Sequence, residues 1–113
     1  MNCIFCQIIN KQLPATITYE DPQVIAFKDA HPKAPIHQLI VPRQHIASLN
    51  ELDANHGTLI GKLILIAKQL AKQFAIAESG YRTVFNCNKD AGQLVFHIHL
   101  HLLGGRLLHW PPG

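Results

Sequence analysis

Three histidines alternate with aliphatic residues near the end of the chain. His97, His99 and His101 are separated by Ile98 and Leu100. A period of two is typical of a β-strand, because successive side chains of a strand point to opposite faces of the sheet. The pattern therefore predicts a strand with one face lined by imidazoles and an aliphatic face that packs on a core.

Three uses of this histidine row are open on the residues alone. The histidines could be the polar face of a half-buried strand, where each needs a hydrogen-bond partner. They could bind a metal ion as neutral imidazoles. They could also form a catalytic row in which one imidazole attacks a substrate, since its usual pKa of about 6.5 leaves it neutral near pH 7. Spacing does not separate the metal site from the catalytic row.

Amides and glycines bracket the histidine row, namely Asn86, Gln93, Gly92, Gly104 and Gly105. Amide groups and closely approaching glycines suit an anion such as a phosphate, which backbone N–H groups can surround. Glycine is also the residue that allows a turn or a close approach of two backbones. These neighbours indicate a phosphate-bearing ligand beside the histidines.

Composition predicts one domain over residues 1–113 that binds a small anionic molecule. The 113 residues include 10 Lys and Arg and 7 Asp and Glu, and the formal net charge is +3. The positive charges are scattered, whereas nucleic-acid binding needs a clustered basic face. A chain of this length is typical of a single domain, and dimerisation would bury more of its surface.

Nothing in the sequence indicates secretion or a membrane. Residues 1–6 lack the basic start and apolar run of a signal peptide. The longest aliphatic run, 63–67, lies between two lysines and is too short to span a bilayer. Three cysteines are an odd number and do not suggest a disulfide framework. We therefore expect a cytoplasmic protein with no nucleic-acid or membrane partner.

Hydrophobic periodicity and turn residues predict an α+β domain. The predicted strands are 17–20, 24–27, 37–41, 81–86 and 95–103. The predicted helices are a short one over 3–11 and a long one over 54–77, with a helical turn opened by the Ser-x-x-Glu pattern at 48–51. Short connections favour antiparallel pairing. The expected fold is a five-stranded antiparallel sheet with both helices on one face.

The chain resembles the histidine triad (HIT) superfamily. Residues 97–103 fit its His-φ-His-φ-His-φ-φ motif, where φ is apolar. Further segments are similar to the Hint branch, the histidine triad nucleotide-binding proteins, at 3–9, 26–29, 34–37, 40–46 and 104–113. The resemblance implies the HIT-like fold and a homodimer in which two sheets join edge to edge into one larger sheet.

The resemblance implies a purine nucleoside phosphoramidase, with adenosine substrates favoured. His99 is then the nucleophile that attacks the α-phosphorus and forms a nucleotidyl-histidine, which water hydrolyses to a nucleoside monophosphate. His101 would donate to a nonbridging phosphate oxygen, and His37 would orient the row or relay a proton. His97 completes the implied catalytic set. This chemistry requires no cofactor.

The resemblance also implies a nucleoside pocket. Its apolar walls would come from Phe5, Ile8, Phe27 and Leu39, and Asp29 would accept hydrogen bonds from the ribose hydroxyls. Phosphate or leaving-group atoms would contact Asn86, Gln93 and Leu94, and the tail residue Trp110 would reach the active site of the partner subunit. Leu94 departs from the family, because many members carry a small hydroxyl residue there.

A structural zinc ion is a separate expectation. Cys3 and Cys6 form a Cys-x-x-Cys, and bacterial relatives with this start often bind zinc. The matching ligand set is Cys3, Cys6, His45 and His97, and two thiolates with two imidazoles suit tetrahedral zinc. The alternative is a pair of half-buried cysteines on a helix. His99 stays outside this set, so the metal would be structural.

Three other functions compete with the phosphoramidase. A dinucleoside polyphosphate hydrolase, the chemistry of the Fhit branch, is disfavoured by the Trp-Pro-Pro-Gly ending at 110–113. A non-catalytic nucleotide-binding scaffold is disfavoured by the intact His99. A pure metal-binding module is the least favoured. All but the last predict a purine nucleotide as the small-molecule partner.

Overall fold

A five-stranded antiparallel sheet forms the centre of the computed structural model, which describes residues 2–113. Its strands are β1 (Ile17–Glu20), β2 (Val24–Lys28), β3 (Ile36–Pro42), β4 (Tyr81–Val84) and β5 (Leu100–Gly104). In space they follow the order β1-β2-β3-β5-β4, and each neighbouring pair is antiparallel. Two α-helices, α1 (Ile4–Ile9) and α2 (Gly57–Gln73), complete the predicted α+β fold, which is confirmed.

The two helices pack on opposite faces of the sheet, so the expectation of one covered face is wrong. Leu63 and Leu70 of α2 pack with Ile40 of β3. Phe5 of α1 packs with Leu39 on the other face. The central strands are apolar on both faces, and each face therefore needs a cover.

The first hairpin is tied to α2 by one carboxylate. Asp21 accepts hydrogen bonds from the backbone N–H groups of Gln23 at 2.7 Å and Val24 at 2.9 Å. It also accepts from the Tyr19 hydroxyl at 2.6 Å, and Lys62 of α2 lies 2.8 Å away. A single side chain thus fixes both the β1–β2 turn and the position of the long helix.

Both helices are shorter than predicted because of local turns. The Cys3 thiol caps α1 by accepting from the N–H of Cys6. A 3₁₀ turn at 54–56 precedes α2. The helix ends at Gln73, and Ala75 takes a left-handed conformation with φ of 60°. The predicted helical turn at 48–51 is present as a 3₁₀ turn at Leu49–Glu51.

The last strand begins at Leu100, five residues later than predicted. Leu100 pairs with Ile40, so two residues further along the ladder Ile98 would pair with Pro42. Proline has no N–H to continue the ladder. Ile98 instead donates to the carbonyl of Ile46 at 2.7 Å. The segment 95–99 is therefore irregular. The β4 strand likewise ends at Val84, two residues earlier than predicted.

Two glycines close the histidine segment for two different reasons. A Cβ atom on Gly104 would lie 2.6 Å from the Ile76 side chain, so the close approach of the segment after α2 to β5 requires a glycine at this position. Gly105 has a φ of +93°, which suits a glycine turn. Among the described helices, none is long and apolar enough to cross a membrane.

Candidate active site

A pocket of about 840 Å³ opens on the face of the sheet that α1 covers. Residues from α1, from β2 and β3, from β5 and from the loop after β4 form its walls. Most of the predicted site residues line it, namely Phe5, Ile8, Phe27, Asp29, His37, Leu39, Asn86, Leu94, His99 and His101. The pocket thus combines an apolar end with a cluster of imidazoles.

A backbone hydrogen bond leaves one ring nitrogen of His99 with a free lone pair. Its Nδ1 lies 2.8 Å from the carbonyl oxygen of His97. A carbonyl accepts but does not donate, so Nδ1 carries the proton and Nε2 carries the lone pair. Burial lowers the pKa of His99 below its usual value, which keeps the imidazole neutral. The Phe5 ring and this imidazole pack nearly perpendicular to each other, with ring centroids 5.0 Å apart.

His37 and His101 form a directional hydrogen-bonded chain. The backbone N–H of Lys33 donates to Nδ1 of His37 at 3.0 Å, so the His37 proton is on Nε2. That Nε2 lies 2.9 Å from Nδ1 of His101 and 3.4 Å from the Asp29 carboxylate. His101 therefore accepts at Nδ1 and carries its own proton on Nε2, where it can donate to a ligand.

These hydrogen bonds argue against a metal ion at Asp29, His37 and His101, although the ligand atoms of the three residues lie close together. A metal at Nε2 of His37 would require its proton on Nδ1, facing the N–H of Lys33. Burial, and then the neighbouring His99 and His37, hold the pKa of His101 at about 4. The geometry favours two neutral imidazoles, in which His37 donates a hydrogen bond to His101 and His101 can donate to a ligand.

The side chain of His97 points away from the pocket, contrary to the expectation of one face shared by three histidines. Its Nε2 donates to the carbonyl of Pro42 at 2.7 Å. Its Nδ1 lies 3.4 Å from Sγ of Cys3, 3.5 Å from Sγ of Cys6 and 3.1 Å from Nδ1 of His45. His97 reaches the active site through its backbone carbonyl, and its imidazole belongs to the cysteine cluster of Cys3, Cys6, His45 and His97.

The cysteine cluster fits a tetrahedral metal ion. Its four ligand atoms all lie within 4.8 Å of one another. Zn–S bonds of about 2.3 Å and Zn–N bonds of about 2.0–2.1 Å define a tetrahedron with edges of about 3.3–3.8 Å. The separations of 3.1–3.5 Å between His97 Nδ1 and the other three atoms are close to these edges. The Pro42 carbonyl also fixes the tautomer that leaves the His97 lone pair facing the cluster.

Gln93 and Trp110 are not among the residues that line this pocket, and the expected contact of Gln93 with a substrate stays a prediction. The buried Gln93 amide donates to the carbonyls of Ala47 at 2.8 Å and Val95 at 3.1 Å and accepts from the N–H of Asn88 at 2.8 Å. It therefore shapes the loop that carries Asn86. The Arg82 guanidinium lies over the Trp110 ring, with its Cζ atom 5.8 Å from the ring centroid. The expected contact of Trp110 with a partner subunit stays a prediction.

Sequence reasoning missed several groups at the pocket. Lys28, His31 and Lys33 line it, and the two lysines place positive charge there. Lys28 immediately precedes the predicted Asp29, and this adjacency is the signal that could have found it. The backbone groups that set the imidazole tautomers leave no mark in a sequence. The predicted Leu94 does line the pocket and is 91% exposed.

Comparison with known proteins settles the family. A model of the HIT domain matches residues 10–108. The chain belongs to the HIT family. It is 47% identical over 105 residues to the purine nucleoside phosphoramidase of Escherichia coli, covering 93% of this chain and 88% of that protein. It is also 51% identical to an uncharacterized HIT-like protein of Synechococcus elongatus, over 97% of this chain and 96% of that one.

Solved structures of the HIT family agree with this assignment. A HIT family hydrolase from Legionella pneumophila has a TM-score of 0.97 and 48% sequence identity, covering 99% of this chain and all of that one. The predicted family is confirmed, and these relatives support a hydrolase. The prediction that residues 1–113 form a single domain stays a prediction.

Proposed function

We propose that this HIT protein hydrolyses purine nucleoside phosphoramidates through a covalent nucleotidyl-histidine on His99. The observation that carries the proposal is the hydrogen bond from Nδ1 of His99 to the His97 carbonyl, which leaves Nε2 as the nucleophilic atom in the pocket. The similarity to the phosphoramidase of Escherichia coli supports the same chemistry.

The first step transfers the nucleotidyl group to His99. Its Nε2 attacks the α-phosphorus, the P–N bond breaks, and the departing amine takes up a proton from solvent. The proton on Nδ1 stays on the ring, where the His97 carbonyl stabilises the imidazolium that forms. His101 donates from Nε2 to a nonbridging oxygen, where negative charge develops, and His37 fixes that tautomer.

The second step releases the nucleoside monophosphate. Water attacks the phosphorus from the side that the amine has left, gives its proton to solvent, and the bond from phosphorus to Nε2 breaks. His99 returns to its neutral form. Burial favours this return, because it lowers the pKa of the imidazole.

The apolar end of the pocket suits a purine nucleoside. Phe5 and Phe27 meet edge to face with ring centroids 5.4 Å apart, and Leu39 completes this wall. A flat base buries apolar area against such rings. The Asp29 carboxylate lines the same pocket, 3.4 Å from Nε2 of His37, where it can accept from ribose hydroxyls. We propose adenosine as the favoured nucleoside.

We also propose a structural zinc ion in the cysteine cluster. Zinc there would supply folding energy by joining α1 to the segments that carry His45 and His97. The proposed catalysis takes place in the neighbouring pocket and does not require the metal as a reactant.

A direct comparison of substrates tests the proposed function. An adenosine phosphoramidate, a dinucleoside polyphosphate and AMP are offered to the same preparation under identical conditions. Faster cleavage of the phosphoramidate is expected. Faster cleavage of the polyphosphate would favour the alternative hydrolase, and AMP binding without cleavage of either substrate would favour a scaffold.

A further inference from the structure

One residue belongs to both chemical clusters of this molecule. The imidazole of His97 lies in the cysteine cluster, 3.1 Å from Nδ1 of His45. Its backbone carbonyl accepts the proton of the proposed nucleophile, His99, at 2.8 Å. Any shift of the His97 side chain that moves its backbone also moves the partner that sets the tautomer of His99.

Helix α1 makes a second connection between the cysteine cluster and the pocket. Cys3 and Cys6 flank Phe5, whose ring packs edge-on against His99 at 5.0 Å and against Phe27 at 5.4 Å. A helix of six residues is far below the length of about 12–15 residues that is marginally stable alone. The position of Phe5 therefore depends on the contacts that hold α1 against the rest of the protein. Cys3 and Cys6 make such contacts with His97.

The segment at 42–47 makes a third connection. His45 of the cluster is followed by Ile46, whose carbonyl accepts from the N–H of Ile98 at 2.7 Å. In the sequence, Ile98 lies between His97 and His99. The next carbonyl, that of Ala47, accepts from the buried Gln93 amide at 2.8 Å. His45 of this segment is thus a cluster ligand, and the carbonyls of the next two residues hold the segment that carries His99 and the loop that lines the pocket.

We infer that Cys3, Cys6 and His45 are positioning residues of the nucleotide site, so that a metal ion in the cysteine cluster and a nucleotide in the pocket strengthen each other's binding. The inference rests on the proposed function and on the proposed zinc ion. Because coupling between two binding sites is reciprocal, the factor by which zinc tightens AMP binding equals the factor by which AMP tightens zinc binding.

The test measures the coupling in both directions on the full-length protein. Zinc affinity is obtained by competition with a chromophoric chelator, with and without saturating AMP. AMP affinity is obtained by calorimetry on the zinc-loaded and the chelated protein. We expect the same factor in both measurements, in the range of about 5–150-fold that is typical of coupled sites.

Cysteine variants separate ligation from a general loss of structure. Cys6→Ser should weaken zinc binding and lower AMP affinity together. Cys6→Asp keeps a zinc ligand and should restore both. Cys87→Ser removes a cysteine outside the cluster and should leave the coupling factor unchanged. Far-ultraviolet circular dichroism of each zinc-free protein reports whether the sheet is retained.

The outcomes distinguish failure of the coupling from failure of the proposed nucleotide function or of the proposed zinc ion. Zinc and AMP that both bind with no mutual effect would overturn the inference alone. Absence of zinc binding would overturn the metal proposal and the inference, and absence of AMP binding would overturn the proposed function as well. Loss of the sheet on chelation would also overturn the inference, because the metal would then support the whole fold rather than the nucleotide site.

Discussion

Hydrogen bonds assign different tautomers to neighbouring histidines of the site. His99 is protonated on Nδ1, whereas His37 and His101 are protonated on Nε2. These assignments give one imidazole a free lone pair and another a free proton in the same pocket. The proposed nucleophile, His99, and the proposed donor, His101, are both neutral imidazoles, and hydrogen bonds to the backbone at His97 and Lys33 set their different tautomers.

The pH profile of kcat/KM tests these neutral imidazoles. Burial lowers the pKa of His37 and of His99, and holds that of His101 at about 4. Protonation removes the lone pairs on which nucleophilic attack and the hydrogen-bonded chain depend. Activity should therefore persist below the usual histidine pKa of about 6.5 and fall only as the pH drops through the lowered values. An acid limb centred at or above 6.5 would contradict this account.

Leu94 provides a prediction about the leaving group. Its side chain lines the pocket but cannot donate a hydrogen bond to the bridging nitrogen. Leu94→Ser should raise kcat/KM for an adenosine phosphoramidate by about 2–10-fold, the value of one net hydrogen bond of about 0.5–1.5 kcal/mol. The control is Leu107→Ser, at another highly exposed leucine, which lies outside this pocket. Equal effects of the two variants would show that Leu94 has no special role.

At the level of secondary-structure elements, Asp21 holds the first hairpin against α2. Burial raises the pKa of Asp21, but hydrogen bonds from Lys62, Tyr19 and the backbone N–H groups of Gln23 and Val24 outweigh it. The pKa therefore lies well below the usual range. A lowered carboxyl pKa stabilises the folded state above the usual value of about 3.9, and this contribution is lost as the pH falls below it.

Asp21→Asn should lower the free energy of unfolding at pH 7 by about 1–3 kcal/mol, because it weakens charge-assisted hydrogen bonds at a half-buried site. Denaturant unfolding measures the change. The difference from the wild type should shrink as the pH falls below about 3.9. The exposed Asp90 offers the control Asp90→Asn, which should have little effect at either pH. A difference that does not depend on pH would argue against a role for the charge.

The elements were predictable from local patterns, but their ends were not. Alternation and 3.6-residue periodicity are encoded locally, so all five strands and both helices were found. The start of β5 depends on Pro42 in another strand, which cannot continue the ladder. The placement of the two helices on opposite faces of the sheet depends on contacts between residues that are far apart in the sequence. Both features are tertiary.

The candidate site shows the same division. The family motif identified the residues that line the pocket, including His99, His101 and Asp29. It did not predict that the Gln93 amide is hydrogen-bonded to loop carbonyls. The strand pattern placed His97 on the same face as His99 and His101, whereas the expected zinc ligands had already grouped it with the cysteines. The orientation of the His97 imidazole follows from the irregular backbone at 95–99. A sequence pattern with a period of two cannot describe such a segment.

At the level of the whole molecule, the predicted homodimer has two surface features in its favour. Strand β4 is an edge strand, and an edge presents unpaired backbone groups that a second copy can use. Ile64 and Leu65 are exposed on the outer side of α2, and Leu65 is 65% exposed. Apolar side chains in this position are suited to burial between subunits.

We propose a homodimer and expect light scattering to give about twice the chain mass of 12.6 kDa. Leu65→Glu should shift the mass toward that of one chain, because a carboxylate buried between subunits is costly. Gln73→Glu, at another exposed position of α2, should leave the mass unchanged. A wild-type protein of single-chain mass at all concentrations would refute the dimer.

The central claim is that His99 carries the nucleotidyl group. The most direct measurement is rapid quenching of the protein with an adenosine phosphoramidate, followed by peptide mass spectrometry and amine release, with His99→Ala in parallel. The account predicts an adenylylated peptide containing His99 in the wild type, and neither adduct nor amine release in the variant, which still binds AMP. Amine release by His99→Ala at a rate near that of the wild type would contradict the account.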